Sequence, residues 1–248
     1  MSLCVMSYNI LCGGDDRLPL IRDVVKEQNP DALALVEANS RANAEQLARE
    51  LDMHLTFGEG NSEFHIAWLS RMPVVRSQVY RPAAMQKLML EIEIQWQGVP
   101  LYLFATHLSA GRSQQGNERR LAEIKAVLDF TRQAEGKPNL LVGDFNAIAP
   151  SDTVGPGPDI IKDNTPPDIA FSRDVINLVL GDGYTDCYRA MHASTPGYTY
   201  KLPLPPWLRL DYIFASPEMA PLLCASNVVS GEIASKASDH LPVWAEFR

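Results

Sequence analysis

Apolar residues in this chain fall into short blocks, and the spacing inside each block separates strands from helices. Residues 3–10 form a compact apolar run closed by Gly13 and Gly14, which predicts a buried strand and a turn. Residues 18–28 repeat with helical spacing instead, placing Leu20, Ile21, Val24 and Val25 on one face and stopping before Pro30. Residues 32–36 predict a second strand that ends at Glu37. Residues 39–51 predict a second helix, with Ser40 as its cap and Ala44, Leu47, Ala48 and Leu51 facing inward.

From residue 64 the period shortens. Residues 64–70, 74–80, 87–95 and 100–106 predict strands separated by turn signals at 71–73, 81–82 and 97–98. Within LMLEIEIQW, apolar and polar positions alternate, as in a strand with one solvated face. Residues 114–133 predict the longest helix, with Leu121, Ile124, Val127, Leu128 and Thr131 on one side and Gly136–Lys137–Pro138 closing it. Residues 139–142 predict a strand that delivers GDFN. A proline-rich stretch, 147–170, follows as a loop placed to shape access to that motif. Beyond it, 171–180 predict a short helix, and 197–200, 210–214, 225–230 and 242–247 predict strands. No repeat or compositional break interrupts the series, so residues 1–248 read as a single α/β domain with mixed or antiparallel sheets.

Composition narrows the function. Of 248 residues, 46% are apolar, and 22 basic against 30 acidic side chains give a formal charge of −8. That balance argues against a protein gripping nucleic acid by bulk electrostatics, and part of it is expected if carboxylates surround a cation. No apolar run approaches the ~20 residues needed to span a bilayer, and the first ten residues lack the pattern of a signal peptide. Cys4, Cys12, Cys187 and Cys224 show no C-x-x-C spacing, so reduced core thiols and a cytoplasmic location are expected.

The informative signal is polar residues at the ends of apolar strands: Asn9, Glu37, His107, Asp144, Asn146, Asp211, Asp239 and His240. Any one alone reads as a turn or cap residue. Together they need a cation or a partner to compensate acids held at a desolvated rim. Glu37, Asp239 and the amide oxygen of Asn9 are hard donors suited to Mg²⁺ or Mn²⁺, whereas the spacings typical of zinc sites are absent. Asp144 can take a proton from water, and the Asn146 amide can donate to a phosphoryl oxygen. His240 with Asp211 predicts a carboxylate–imidazole pair that favours the protonated ring.

The strings SYNI, LVE, LSRMPV, THL, GDFNA, RLDYIF and SDHLPV occur in this order over the whole chain. In them the chain resembles the endonuclease/exonuclease/phosphatase superfamily of DNase I-like enzymes. The resemblance implies a four-layer α/β/β/α sandwich, two packed mixed β-sheets flanked by helices, with the site at one end of the sheets. It further implies metal contacts from Asn9, Glu37 and Asp239, water handling by Asp144 and Asn146, and phosphate binding by His107 and by His240 supported by Asp211. Leu11 stands where some members carry a second carboxylate, which implies one tightly bound ion rather than two. Ile66 stands where many carry an asparagine, leaving Ser70 and Arg71 on that side; His65 is the alternative donor, with a surface role favoured for it.

Substrate contacts are expected from Arg112, Lys201 and Trp207, with Tyr200 beside them. For Arg112 and its neighbour Arg119 a solvated helix face competes with this reading, and for Trp207 a packed loop does. His54 and His192 belong to no motif and read as structural. The expected activity is therefore divalent-metal-dependent hydrolysis of a phosphoester by in-line attack of water. A small-molecule or lipid-like headgroup is favoured as substrate; a nuclease, or a phospho-ligand-binding module without turnover, is the alternative.

Overall fold

A computed structural model describes residues 2–155, 172–200 and 207–248. Twelve strands are present among them: β1 (Leu3–Asn9), β2 (Ala32–Val36), β3 (His54–Gly58), β4 (Ile66–Ser70), β5 (Val74–Tyr80), β6 (Met89–Trp96), β7 (Val99–His107), β8 (Asn139–Asp144), β9 (Thr185–Asp186), β10 (Asp211–Ala215), β11 (Leu223–Val228) and β12 (Val243–Phe247). The helices are α1 (Leu18–Gln28), α2 (Arg41–Leu51), α3 (Gln114–Thr131), α4 (Asp174–Gly181), α5 (Cys187–Met191) and α6 (Glu232–Ala237).

The strands form two six-stranded mixed sheets, ordered β11-β12-β1-β2-β4-β3 and β5-β6-β7-β8-β10-β9. Their facing sides share one core, in which Val5, Ala34 and Trp68 of the first sheet meet Leu90, Ile92, Leu103, Val142 and Ile213 of the second. Fully burying an aliphatic side chain of this kind contributes about 1.5–3 kcal/mol. The indole N–H of Trp68 is satisfied across the interface by Leu90 O at 3.1 Å, so the large ring is buried without an orphaned donor. The outer face of the first sheet, with Met6, Tyr8, Leu33 and Leu35, is covered by α1, α2 and α6. That of the second, with Phe104, Leu141 and Phe214, is covered by α3 and α4. The result is the expected α/β/β/α sandwich. Both faces of the central strands are buried, which is why β1 and β8 read as unbroken apolar runs.

Local signals explain most boundaries. Ser40 caps α2 by accepting from Asn43 N, and Ser113 caps α3 by accepting from Gly116 N. Several expectations need correction. Residues 197–200 form no strand; Tyr200 makes only isolated bridges to Leu208 and His240. Strand β3 was not anticipated: its alternation of His54, Leu55, Thr56 and Phe57 is only five residues long and follows α2 closely at a half-exposed sheet edge. Nor were the short α5 and α6. Glu91 in β6 is buried rather than solvated, because Arg76 and the Tyr80 hydroxyl close over its carboxylate. Of the four thiols only Cys187 is buried, while Cys12 and Cys224 are exposed. Lys201 and residues 156–170 of the proline-rich loop lie outside the described residues. Among the described residues no helix is long and apolar enough to cross a membrane.

Candidate active site

Strand register brings the acids and histidines to one end of the sandwich. In the second sheet, β7 and β8 run parallel with His107 opposite Asp144, and β8 and β10 run antiparallel with Asp144 opposite Asp211. Three reactive side chains thus sit side by side on neighbouring strands. In the first sheet Asn9 lies opposite Val36, the residue before Glu37. The segment leading into β12, antiparallel to β1, adds Ser238, Asp239 and His240. Gly143 is required just before Asp144: its φ is +136°, and a Cβ there would lie 1.9 Å from Thr106 O.

Hydrogen bonds join these ends. Asn9 donates through Nδ2 to Glu37 Oε1 at 3.2 Å and to Asp144 Oδ2 at 3.1 Å, while its Oδ1 accepts from Leu11 N. Asp144 Oδ1 accepts from Asn146 N at 2.8 Å, and Asn146 Nδ2 donates to Leu108 O. His240 Nδ1 lies 2.7 Å from Asp211 Oδ2, and its Nε2 faces Asp144 at 3.9 Å. His107 Nε2 is 3.4 Å from the same Asp144 oxygen and 4.0 Å from Glu37 Oε1. Thr199 Oγ1 accepts from the backbone N–H of both Leu210 and Asp211, fixing the start of β10.

Burial and charge divide the titrations. Burial, with repulsion from Asp211, pushes Asp144 up to about 6, against the pull of His240, Lys87 and the Asn146 N–H. Burial alone would lower His240, but Asp211 and Asp144 outweigh it and raise the ring to about 10. His107 is held well below its ordinary value by burial and by Lys87 and His240, so it is neutral. One histidine of the pair is a cation and the other is not.

The donor set suits a hard cation. Asp239 is raised by burial, and further by Glu37 and Asp211, so carboxylates crowd one another at this rim. A divalent ion relieves such crowding, and oxygen donors from Glu37 and Asp239 match Mg²⁺ or Mn²⁺. Asn9, as oriented here, braces Glu37 and Asp144 with its nitrogen. Asp144, Asp211 and His240 also offer donor atoms within 4.8 Å of one another, yet the short His240–Asp211 contact already engages that group internally. Five consecutive residues, Leu11, Cys12, Gly13, Gly14 and Asp15, adopt positive φ around the rim. The turn aims Cys12 N at Glu37 Oε2 at 2.9 Å. Arg17 holds this turn: its Nη1 donates to Ile10 O and Ala237 O, and its Nη2 to Leu11 O. It thereby ties the Asn9 segment to the Asp239 segment.

A cavity of about 420 Å³ opens over these groups, lined by Glu37, His107, Asp144, Asn146 and His240, with Phe64, Lys87, Arg112 and Tyr200 on its walls. Arg112 is therefore at the site, in charge range of Asp144 and Tyr200. Lys87 and Phe64 were not anticipated; a lysine at a strand start carries no sequence mark of burial. Tyr200 packs against His240 at a tilt, with ring centroids 5.0 Å apart and planes at 59°. Trp207 instead packs beside Tyr198, and its carbonyl accepts from Gly155 N, as the packed-loop reading has it.

Ser70 and Arg71 lie at the opposite end of β4, where Ser70 pairs with Ala32 and Arg71 binds the Pro30 carbonyl and the Asn29 side chain. They are too far along the strand to serve the site. Ile66 is buried in the inter-sheet core, and His65 accepts from Gly60 N while packing on Phe57. His192 bonds Ser226 O, a structural role.

Solved structures share this fold. An AP endonuclease from Archaeoglobus fulgidus superposes with a TM-score of 0.80 at 20% identity, covering 99% of both chains. The 3′ phosphatase NExo from Neisseria, bound to a product DNA hairpin, gives 0.78 at 23% identity over 99% of both chains. TDP2 from D. rerio, complexed with a single-strand DNA product, gives 0.74 at 18% identity, covering 100% of this chain and 99% of that one. No curated protein sequence matches the chain significantly. The sequence profile of the Endonuclease/Exonuclease/phosphatase family matches residues 6–240, from within β1 to the histidine of the last motif. The chain belongs to the Endonuclease/Exonuclease/phosphatase family.

Proposed function

We propose that the protein is a divalent-metal-dependent phosphoester hydrolase working by in-line attack of water, with residues 1–248 acting as one catalytic domain. The observation that carries this reading is the chain of contacts Glu37–Asn9–Asp144 facing the His240–Asp211 pair. It sets a carboxylate base opposite an imidazolium, beside crowded carboxylates that need a cation.

Asp144, whose carboxylate sits near a pKa of 6 and is fixed by Asn146 N and Asn9 Nδ2, takes a proton from the attacking water. Asn146 spends one amide proton on Leu108 O and keeps the second for a phosphoryl oxygen. His240, charged and aligned by Asp211, stabilises negative charge on that phosphoryl group. His107, neutral, adds a hydrogen bond from the other side. Glu37 and Asp239, with Asn9 alongside, would hold one Mg²⁺ or Mn²⁺, which would supply positive charge against that developing on the leaving oxygen. Arg112 contacts the substrate beyond the scissile phosphate. A cytoplasmic location is part of this reading.

A small phosphodiester or a lipid-like headgroup is the favoured substrate, since the chain as a whole carries a charge of −8. Nucleic-acid ends are the second reading, supported by the structural neighbours bound to DNA products. The deciding experiment assays diesters, monoesters and oligonucleotides in parallel with Mg²⁺, Mn²⁺ and EDTA. Metal-dependent turnover of bis-(p-nitrophenyl) phosphate, lost in Asp144→Ala and His240→Ala, is expected. No turnover of any phosphoester would favour a binding module, and faster cleavage of oligonucleotides than of small diesters would favour the nuclease.

A further inference from the structure

We propose that Lys87 is a phosphate-binding residue of this site, its ammonium taking a non-bridging oxygen of the scissile phosphate beside Asn146. The proposal rests on the phosphoesterase reading and adds a ligand that none of the strand-end motifs contains.

Lys87 precedes β6, and continuing the β6–β7 register places it opposite Leu108, next to His107. Its side chain is 5% exposed and lines the catalytic cavity. Nζ donates to Leu108 O at 2.9 Å and sits 5.0 Å from the centroid of the Phe64 ring. Leu108 O is the carbonyl that also accepts from Asn146 Nδ2, so the two nitrogens are neighbours on one acceptor.

An ammonium has three protons to donate, and Nζ has one oxygen partner among the described residues. No carboxylate among them reaches it at ion-pair distance, although Asp144, Glu37 and Glu123 lie within longer charge range. A cation removed from water without a counterion destabilises the folded protein. The same fold answers this differently at Arg209, which is equally buried but bracketed by Asp152 and Asp186 at 2.6–3.0 Å. The missing counterion at Lys87 faces the cavity where the phosphate would lie. An anionic ligand supplies it.

Lys87 is also held in place. Gln86 N donates to Glu123 Oε1, and Ser109 donates to both oxygens of the same buried carboxylate. One acid on α3 therefore fixes the segments on either side of the Lys87–Leu108 contact.

The test compares Lys87→Gln, Lys87→Met and Lys87→Arg with the unaltered protein in Mg²⁺. It measures inorganic phosphate binding by calorimetry, melting temperature with and without phosphate, and turnover of bis-(p-nitrophenyl) phosphate. Lys87→Gln keeps a donor for Leu108 O and removes the charge. It is expected to weaken phosphate binding at least tenfold, lower kcat/KM at least tenfold and leave Mg²⁺ binding unchanged. Lys87→Met should melt at a higher temperature than the parent without phosphate and lose the phosphate-induced rise. Lys87→Arg should recover most of the phosphate affinity. Unchanged phosphate affinity in Lys87→Gln, or in folded Lys87→Met with a lowered melting temperature, overturns the proposal and leaves Lys87 a structural pin. If the parent hydrolyses nothing yet phosphate binding still falls in Lys87→Gln, the hydrolase reading fails and the assignment of Lys87 stands.

Discussion

Asn9 and Asp144 end strands in different sheets, 135 residues apart, and an amide proton of Asn9 reaches Asp144 Oδ2 at 3.1 Å. This one contact closes the sandwich at its functional end and orients the proposed base. Its second proton goes to Glu37, so the amide couples the proposed base to the proposed cation-binding rim. Hydrogen bonds to charged groups are worth roughly 1.5–3 kcal/mol. Asn9→Ala should therefore lower kcat/KM by about 10- to 100-fold and weaken Mg²⁺ activation. Steady-state kinetics over a metal titration check both, and an unchanged metal dependence would separate Asn9 from the rim.

The pH profile should be bell-shaped. Asp144 loses its proton as pH rises through about 6, creating the base, and His240 loses its own through about 10, removing the cation. Activity should rise across the first and fall across the second, with a bound divalent ion moving the acid limb to lower pH. Values read from kcat/KM belong to the coupled pair.

Asp211→Asn removes a negative charge that raises His240. The ring's titration, followed by NMR, should move down, and the alkaline limb of activity should move with it. Loss of an aligned acid–base group costs roughly 10²- to 10⁴-fold in rate. The pairing also links stability to pH. Because the folded value lies above the ordinary 6.5, its stabilisation is complete below about pH 6.5 and declines as pH rises toward 10. Denaturation midpoints of Asp211→Asn should therefore differ most from the parent at acidic to neutral pH and converge at alkaline pH.

Arg17 straps the turn after Asn9 to Ala237, two residues before Asp239. Arg17→Ala should leave the two rim segments free to separate, with Mg²⁺ affinity falling about tenfold, the scale of a single charged hydrogen bond. Calorimetric titration of Mg²⁺ measures this without reference to turnover. Equal affinity in a folded variant would mean that Arg17 stabilises the loop alone.

Arg209 is 1% exposed and pairs with Asp152 and Asp186 beneath the Asp211 strand. Arg209→Met leaves the buried Asp186 without its cation and Asp152 with Arg189 alone, at a cost of about 3–5 kcal/mol. Chemical denaturation should show that loss at neutral pH.

Most elements were legible because burial leaves a period in the chain. Helices α1 and α2 and the central strands expose one pattern each, and Ser40 marks its own cap. Where burial is partial or is achieved by pairing, the pattern fails. The half-exposed edge β3 alternates over too few residues to stand out after α2, and Glu91 looks solvent-facing because Arg76 and Tyr80, which cover it, are distant in sequence. The 197–200 segment has strand composition but joins its neighbours through isolated bridges at Tyr200 and single hydrogen bonds at Thr199, not through a ladder.

The site divides along the same line. The residue types that end the strands at Asn9, Glu37, His107, Asp144, Asp211, Asp239 and His240 are written in the primary structure, since polar groups terminating apolar runs are visible one strand at a time. Folding is needed to see that Asn9 turns its nitrogen to two carboxylates, that one histidine is charged and the other neutral, and that Ser70 and Arg71 lie at the wrong end. It alone drew Lys87 into the cavity. Protonation, amide orientation and an unmatched charge all depend on neighbours brought from other strands, and electrostatic fields fall off with distance in space, not along the chain.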